Sequence, residues 1–308
     1  MRHFCTGECM MPAIWDLPDF DSHEAVHVFD DRATGLKAII AVHSTHLGPA
    51  AGGTRFWHYA EPQAAVTDAL RLSRGMSYKN AMAGLPMGGG KGVILADEGA
   101  AKTPELLAAF GRAVESLGGA YVTAEDVGMS DADMVAISKH TKHVSGLPVA
   151  SGEAGGDPGP LTALGVYLGI KAAIKQGLGT DSAKDVRIAI QGVGSVGGGV
   201  ARRLAAEGAK LTLADVNLTR AKELAEELGA ELADSAAIME IEADVLSPNA
   251  LGAILTERSI EKLRVPIVAG GANNQLATAA DGQRIHDRGI TYAPDYVINA
   301  GGISKVAL

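Results

Sequence analysis

Cysteine is nearly absent: Cys5 and Cys9 are the only two in 308 residues. A disulfide framework is thereby excluded, and two ligands without nearby partners make a poor zinc site, so the pair reads as reduced thiols of a cytoplasmic protein or as a small redox pair. Long uncharged apolar runs are missing as well. The nearest approach, Pro160 to Ile174, is broken by Lys171, which argues against a membrane span. The start of the chain lacks the basic and then apolar pattern of a secretory leader and places Asp16, Asp19, Asp21 and Glu24 there instead. Positive charge is also scarce. A net charge of -9 repels phosphate backbones and anionic lipid, so neither nucleic acid nor a membrane surface is an expected partner, and an anionic ligand must be met by local cations.

Glycine, by contrast, is abundant: 39 of 308 residues is about 13%, against a usual value of about 7%. The excess points to tight turns and close backbone approaches. With 47% apolar residues and a length above the usual limit of one core, the chain is expected to form two α/β domains.

Periodicity predicts strands at Leu36–His43, Lys91–Leu95 and Ala120–Thr123, and helices at Glu61–Met82 and Pro104–Leu117. The stretch Ser145–Pro160, with five Gly and three Pro, reads as a linker. A helix at Leu161–Gln176 follows, and then strands at Val186–Gln191, Lys210–Ala214, Ala243–Leu246, Val265–Ala269 and Ile290–Ala293 alternate with helices at Val196–Glu207, Leu218–Leu228 and Asp281–Arg288. Such alternation builds a parallel sheet covered on both faces.

The strand VRIAIQ runs directly into Gly192-Val193-Gly194-Ser195-Val196-Gly197, and this opens a helix. In that context G-x-G-x-x-G is a dinucleotide signature. Gly192 makes the tight turn, Gly194 lets the backbone reach a pyrophosphate, and Gly197 lets helix and strand pack closely. Ser195 and Val196 start the helix, whose free N–H groups face the phosphates. The next strand ends at Asp215, 23 residues after Gly192, where a carboxylate accepts ribose hydroxyls and repels a 2′-phosphate. NAD is therefore expected over NADP, with Arg220 nearby as the feature that speaks for NADP.

Lys91 is the one charged residue between Asn80 and Ala96 and is set among glycines and apolar residues. Burial lowers the pKa of an ammonium, which makes it usable as a general base, and the three preceding glycines are expected to leave room for a substrate carbon or water. Lys79, near a predicted helix end, suits a substrate carboxylate and would depress Lys91 further; it would equally complement the helix dipole. Glu125 and Asp126 end a short strand, and because strand side chains alternate, one of them is expected to face the cleft. A capping or turn acid is the plain alternative.

These residues lie in seven ordered motifs: LGPAAGGTR (Leu47–Arg55), the Lys79 segment, LPMGGGK (Leu85–Lys91), TAEDVG (Thr123–Gly128), GVGSVG, GGANNQL (Gly270–Leu276) and YAPDYVINAGG (Tyr292–Gly302). Together they make the chain resemble the Glu/Leu/Phe/Val dehydrogenase family, nearest its leucine and phenylalanine branch. The resemblance implies a substrate-binding α/β domain at 1–148, a doubly wound Rossmann domain at 149–308, and an active site in the cleft between them. It implies that Lys79 and Asn274 hold a substrate carboxylate beside Ala51, Gly52 and Gly53, that Lys91 activates water or ammonia, and that Asp126 shuttles protons. Thr162 and Asn299 would approach the nicotinamide, and Val216, Ala250 and Asn273 complete the implied cofactor contacts. The activity implied is NAD-dependent interconversion of an apolar L-amino acid and its 2-oxo acid plus ammonia, in a homo-oligomer. The small Ala51 resembles the phenylalanine type and Thr123-Ala124-Glu125 the leucine type; from this mixed signal branched aliphatic side chains are expected, with room for larger ones. Family members continue beyond the AGG motif into further helices, whereas this sequence ends at Leu308; an NAD-binding protein without catalysis is the alternative expectation.

Overall fold

The computed structural model describes residues 13–147, 159–250 and 252–303. Cys5, Cys9, most of the expected linker and the expected domain boundary lie outside the described residues.

The first unit contains, in order, β1 (Ala25–Asp31), β2 (Leu36–Ser44), β3 (Ala50–Trp57), α1 (Pro62–Met82), β4 (Gly88–Leu95), α2 (Pro104–Glu115), β5 (Tyr121–Glu125) and α3 (Asp131–Ser138). The sheet order is β1-β2-β4-β3-β5, antiparallel from β1 through β4 and parallel across β4, β3 and β5. Pro62 occupies the first turn of α1, where a missing N–H costs nothing. Thr103 caps α2 by accepting from the Leu106 N–H, and Ser130 and Asp133 form a capping box on α3.

Each face of this sheet is covered. Leu36, Ala38, Ile40 and Ile94 pack with Phe110, Tyr121, Met134 and Ile137 on the side of α2 and α3. Ile39, Ala41 and Val93 meet Ala65 and Ala69 of α1 on the other. Alternation along β4 therefore places Gly89, Lys91 and Val93 beneath α1. That register is the reason Lys91 is buried, at 5% exposure.

Sequence periodicity does not announce β1 or β3. β3 holds Gly52 and Gly53, residues that weaken a strand, yet it lies between β4 and β5. A Cβ on Gly52 would stand 1.8 Å from the Gly90 carbonyl oxygen, so the close approach of two backbones selects glycine there.

The second unit runs α4 (Gly159–Leu178), β6 (Arg187–Gln191), α5 (Ser195–Ala206), β7 (Lys210–Ala214), α6 (Leu218–Leu228), β8 (Glu231–Leu232), β9 (Val245–Pro248), α7 (Glu257–Lys262), β10 (Ile267–Ala269), α8 (Ala279–Asp287), β11 (Thr291–Ala293) and α9 (Asp295–Ile298). All neighbours pair in parallel in the order β8-β7-β6-β9-β10-β11. This is the doubly wound order whose direction reverses between β6 and β9, and ligands of such sheets bind beyond the strand ends at that point. Helices α4, α5 and α6 cover one face through Val166, Ile170, Val200, Leu204 and Leu224; Ile238, Ile260 and Ile285 cover the other.

The two units touch through α1. Arg71 donates to the Leu276 carbonyl at 2.7 Å, and the Tyr78 and Tyr296 rings lie 5.4 Å apart. Between these contacts a cavity of about 250 Å³ opens.

Candidate active site

The first unit contributes four charged side chains to the heart of this cavity, Lys79, Lys91, Arg55 and Asp126, by simple geometry. On α1, Leu72, Met76 and Lys79 share a face through helical spacing, while Ser73 and Asn80 point at the sheet. Lys91 projects from β4, Arg55 from β3, and Asp126 follows the end of β5. The second unit supplies Thr162 from α4, Asn273 and Asn274 from the loop after β10, and Asp295, Tyr296 and Asn299 from the segment after β11.

Lys91 forms an ion pair with Asp126, and the Arg55 Nε donates to the same carboxylate oxygen at 3.3 Å. Desolvation lowers the Lys91 pKa, Asp126 opposes it, and Arg55 adds to the lowering. Burial alone would raise Asp126; Lys91 and Arg55 overcome this and hold its carboxyl well below the usual carboxylate range. The neighbouring cation that depresses Lys91 is thus Arg55, not Lys79 as the sequence reading expects. The lysine charges act in the other direction, with Lys91 lowering Lys79.

Lys79 is half-buried, and among the described residues its ammonium makes no hydrogen bond or ion pair. Desolvation brings it down to about 8, against the attraction of Asp295 and Asp126. An unengaged cation in a cavity wall is available to an anion. Asn274 lies opposite, its side-chain oxygen against Gly75 of α1. Its backbone is left-handed (φ 50°), held by an N–H donated to Asp295 at 2.8 Å. Asp295 is buried and its pKa raised by desolvation, opposed by that N–H.

One expectation about the first unit needs correction. The glycines before Lys91 do not leave space for substrate. A Cβ on Gly89 would meet Ser77 at 2.2 Å, one on Gly90 the Tyr121 ring at 2.6 Å, and one on Gly88 the Ser44 carbonyl at 1.8 Å. They let α1, Tyr121 and β2 close around Lys91, so their role is burial of the amine. Val122, Ala124 and Asp126 line the cavity at the strand period of two, and Glu125 between them borders it as well. Asp126 is the one paired with Lys91. Ala51, Gly52 and Gly53 line the cavity as expected, and a Cβ on Gly53 would strike Asp126 at 2.8 Å. Sequence reasoning assigned no role to Arg55, Asp68 or Asp295, although Arg55 and Asp295 sit in the quoted motifs.

The glycine motif behaves as its chemistry requires. Gly192 has φ 83° and a Cβ there would meet Ala250 at 2.8 Å. Gly197 lies against the Gly192 carbonyl, 1.9 Å from where its Cβ would be. Around Gly194 the space is open: the nearest atom to a Cβ is an Arg220 nitrogen at 3.8 Å. Ser195 and Val196 begin α5, so its first N–H groups face this opening. Asp215, 8% exposed, accepts the Val193 and Asn217 N–H groups, each at 2.8 Å, one per oxygen. Each oxygen keeps a lone pair for a hydroxyl. Val216 beside it is 90% exposed, suited to lie against a ligand ring. Asn299 is buried in the cavity wall, donates to Asn273 at 2.8 Å, and has a side-chain oxygen without a partner among the described residues. A buried acceptor left open is costly unless a ligand N–H meets it. The residues present therefore fit a nicotinamide dinucleotide lying from Asp215, across Gly194, to Thr162 and Asn299.

A wound dinucleotide sheet facing a buried lysine–aspartate pair across one cavity defines an oxidoreductase of the NAD(P)-dependent type. The chain belongs to the Glu/Leu/Phe/Val dehydrogenase family: residues 22–143 match its dimerisation-domain model and residues 213–308 its Glutamate/Leucine/Phenylalanine/Valine dehydrogenase model. It is 48% identical to leucine dehydrogenase of Bacillus subtilis, over 92% of this chain and 78% of that one, and 48% identical to valine dehydrogenase of Streptomyces albus, over 94% and 80%. The crystal structure of L-tryptophan dehydrogenase from Nostoc punctiforme superposes with a TM-score of 0.73 at 42% identity, covering 91% of this chain and 80% of that one. The protein is an amino-acid dehydrogenase, and the catalytic reading is favoured over one of dinucleotide binding alone.

Proposed function

We propose that the chain oxidises a branched aliphatic L-amino acid, with tolerance for larger apolar ones, to its 2-oxo acid and ammonia, with NAD as the partner, and runs the reverse amination. The observation that carries this is the pairing, in one cavity, of an unengaged Lys79 ammonium with the buried Lys91–Asp126 couple. Lys79, with Asn274, holds the carboxylate. Lys91, its proton loosened by burial, takes the proton from the water that attacks the imino acid carbon. Asp126, a carboxylate in the resting site, relays the proton that Lys91 has taken to the departing nitrogen. NAD bound along the glycine motif supplies the hydride acceptor. Ala51, Leu72, Met76, Met87, Val122 and Ala124 form the apolar wall for the side chain. A second substrate carboxylate, as in glutamate, has no spare cation among these lining residues, because Arg55 is committed to Asp126 and Asp68.

NAD over NADP rests on Asp215. Asp215→Ala is expected to weaken NAD by about tenfold, from lost hydroxyl bonds, and NADP by less, because repulsion of the 2′-phosphate goes with the carboxylate. Fluorescence titration with both reduced cofactors measures the ratio, and equal losses would contradict the ribose role. The cytoplasm, where thiols stay reduced, is the compartment proposed. A homo-oligomer is proposed through the β1 edge, which is unpaired on its outer side among the described residues and exposes Val28 at 74%.

Absorbance at 340 nm with NAD and a panel of L-amino acids tests the whole reading. Reduction with leucine, valine or isoleucine above that with glutamate supports it; cofactor binding without reduction on any substrate refutes it. Lys79 adds a pH signature. It binds an anion only when protonated, so with ammonia saturating, KM for the 2-oxo acid should climb above pH 8, approaching about tenfold per unit. A flat KM between pH 7 and 10 would remove Lys79 from that role.

A further inference from the structure

The cavity wall contains a cation with no place in the steps above. Arg55 reaches Asp126 with Nε at 3.3 Å and Asp68 with Nη1 at 2.6 Å. Tyr59 donates its hydroxyl to the same Asp68 oxygen at 2.7 Å. A continuous chain, Tyr59–Asp68–Arg55–Asp126–Lys91, thus ties α1 and β3 to the end of β5 and the middle of β4. All of it lies on the face of the sheet that α1 covers. Arg55 spends its planar fork on two carboxylates at once, a geometry a lysine does not reproduce.

The arrangement answers a problem built into the site. A lysine in contact with a carboxylate holds its proton more tightly, which works against a base. Arg55 donates to the same Asp126 oxygen that receives Lys91 and so shares that negative charge. The charged and titratable groups around Lys91 are Asp126 and Glu125 at the end of β5, Arg55 on β3 with Tyr59 beyond it, and Asp68 and Lys79 on α1, with Asp295 across the cavity. Of the three cations here, Lys91 is the proposed base and Lys79 faces the substrate; Arg55 is the second cation bound to Asp126 and is able to loosen its grip on Lys91.

We propose that Arg55, anchored by Asp68 and Tyr59, is a positioning residue that fixes Asp126 and offsets that carboxylate's hold on the Lys91 proton. Asp68 is its counterweight, a carboxylate that limits how strongly Arg55 repels that proton. The proposal rests on Lys91 being the base.

The two partners are expected to move the reaction in opposite directions. With NAD saturating, kcat/KM for the L-amino acid falls on the acid side as Lys91 becomes protonated. The substrate's own ammonium titrates identically with every variant, so a displacement between variants belongs to the protein. Arg55→Gln removes a repelling cation, raises the Lys91 pKa, and should move this limb up by about one pH unit. Asp68→Asn removes an attracting anion and should move it down. Arg55→Lys keeps the charge and should return most of the displacement while kcat stays below wild type, because the fork is lost. Cofactor binding by each variant reports an intact fold. If Arg55→Gln does not fold, Asp68→Asn carries the test alone. Unmoved limbs, limbs displaced in the same direction, or an upward shift in Asp68→Asn would each overturn the role given to Arg55. Full turnover in Lys91→Ala would instead overturn the base assignment, so the two failures are separable.

Discussion

Lys91→Ala is expected to lower turnover by about 100-fold or more, the usual worth of a positioned general base, while leaving cofactor affinity nearly intact. The separation follows from the architecture. Lys91 lies on β4 of the first sheet, whereas the glycine motif, Asp215 and the start of α5 belong to the second. Removing the ammonium also frees Asp126 from its strongest attraction. Desolvation, now opposed by Arg55 without Lys91, should move its pKa up from its present depressed value. Stopped-flow absorbance at 340 nm reads the chemical step, and fluorescence quenching on NADH addition reads binding. Wild-type turnover in the variant would remove Lys91 from the mechanism. Loss of cofactor binding in step with turnover would show that the substitution had disturbed the fold instead.

Lys79→Ala is expected to act differently, raising KM for the amino acid by about 100-fold with a smaller fall in kcat. A desolvated ammonium facing a carboxylate contributes to binding in ground and transition states alike, so its loss appears mainly in KM. Asn274 alone then holds the carboxylate, and some misorientation of Cα accounts for the part that appears in kcat. Substrate truncation gives an independent check: an alkylamine that lacks the carboxylate should gain nothing from Lys79 and react equally poorly with wild type and variant. Steady-state kinetics over a wide range of amino-acid concentration measures the division. An unchanged KM would assign Lys79 to the dipole of α1 instead.

Much of this site is legible in the sequence because its determinants are local. The turn at Gly192, the open face at Gly194, the helix–strand contact at Gly197 and the acid at Asp215 lie within 24 consecutive residues, and each acts through its own backbone or its nearest neighbour. α6 and β7 match their sequence bounds because their apolar periods are clean and Gly229 ends α6 in the left-handed conformation. Lys91 was conspicuous as a lone charge in an apolar run. What escaped is non-local. β3 has two glycines in a strand, and only the approach of Gly90 from β4 to Gly52, and of Glu125 and Asp126 to Gly53, explains them. Arg55 and Asp68 are 13 residues apart in different elements, and nothing in either segment announces that they meet over Asp126. The sequence alone suggests substrate space at the glycines before Lys91 for the same reason: their neighbours are Ser44, Ser77 and Tyr121, in other elements. A glycine says that space is needed but not which atom fills it.

The account depends on Lys91 and the nicotinamide sharing one reacting carbon across the cavity between the two sheets. A crystal structure of the protein with NADH and a branched-chain 2-oxo acid tests this most directly. The prediction is a carboxylate on Lys79 and Asn274, with the 2-oxo carbon between the Lys91 amine and the nicotinamide ring beside Thr162 and Asn299. An acid bound elsewhere, or a nicotinamide turned away from Lys91, would contradict it.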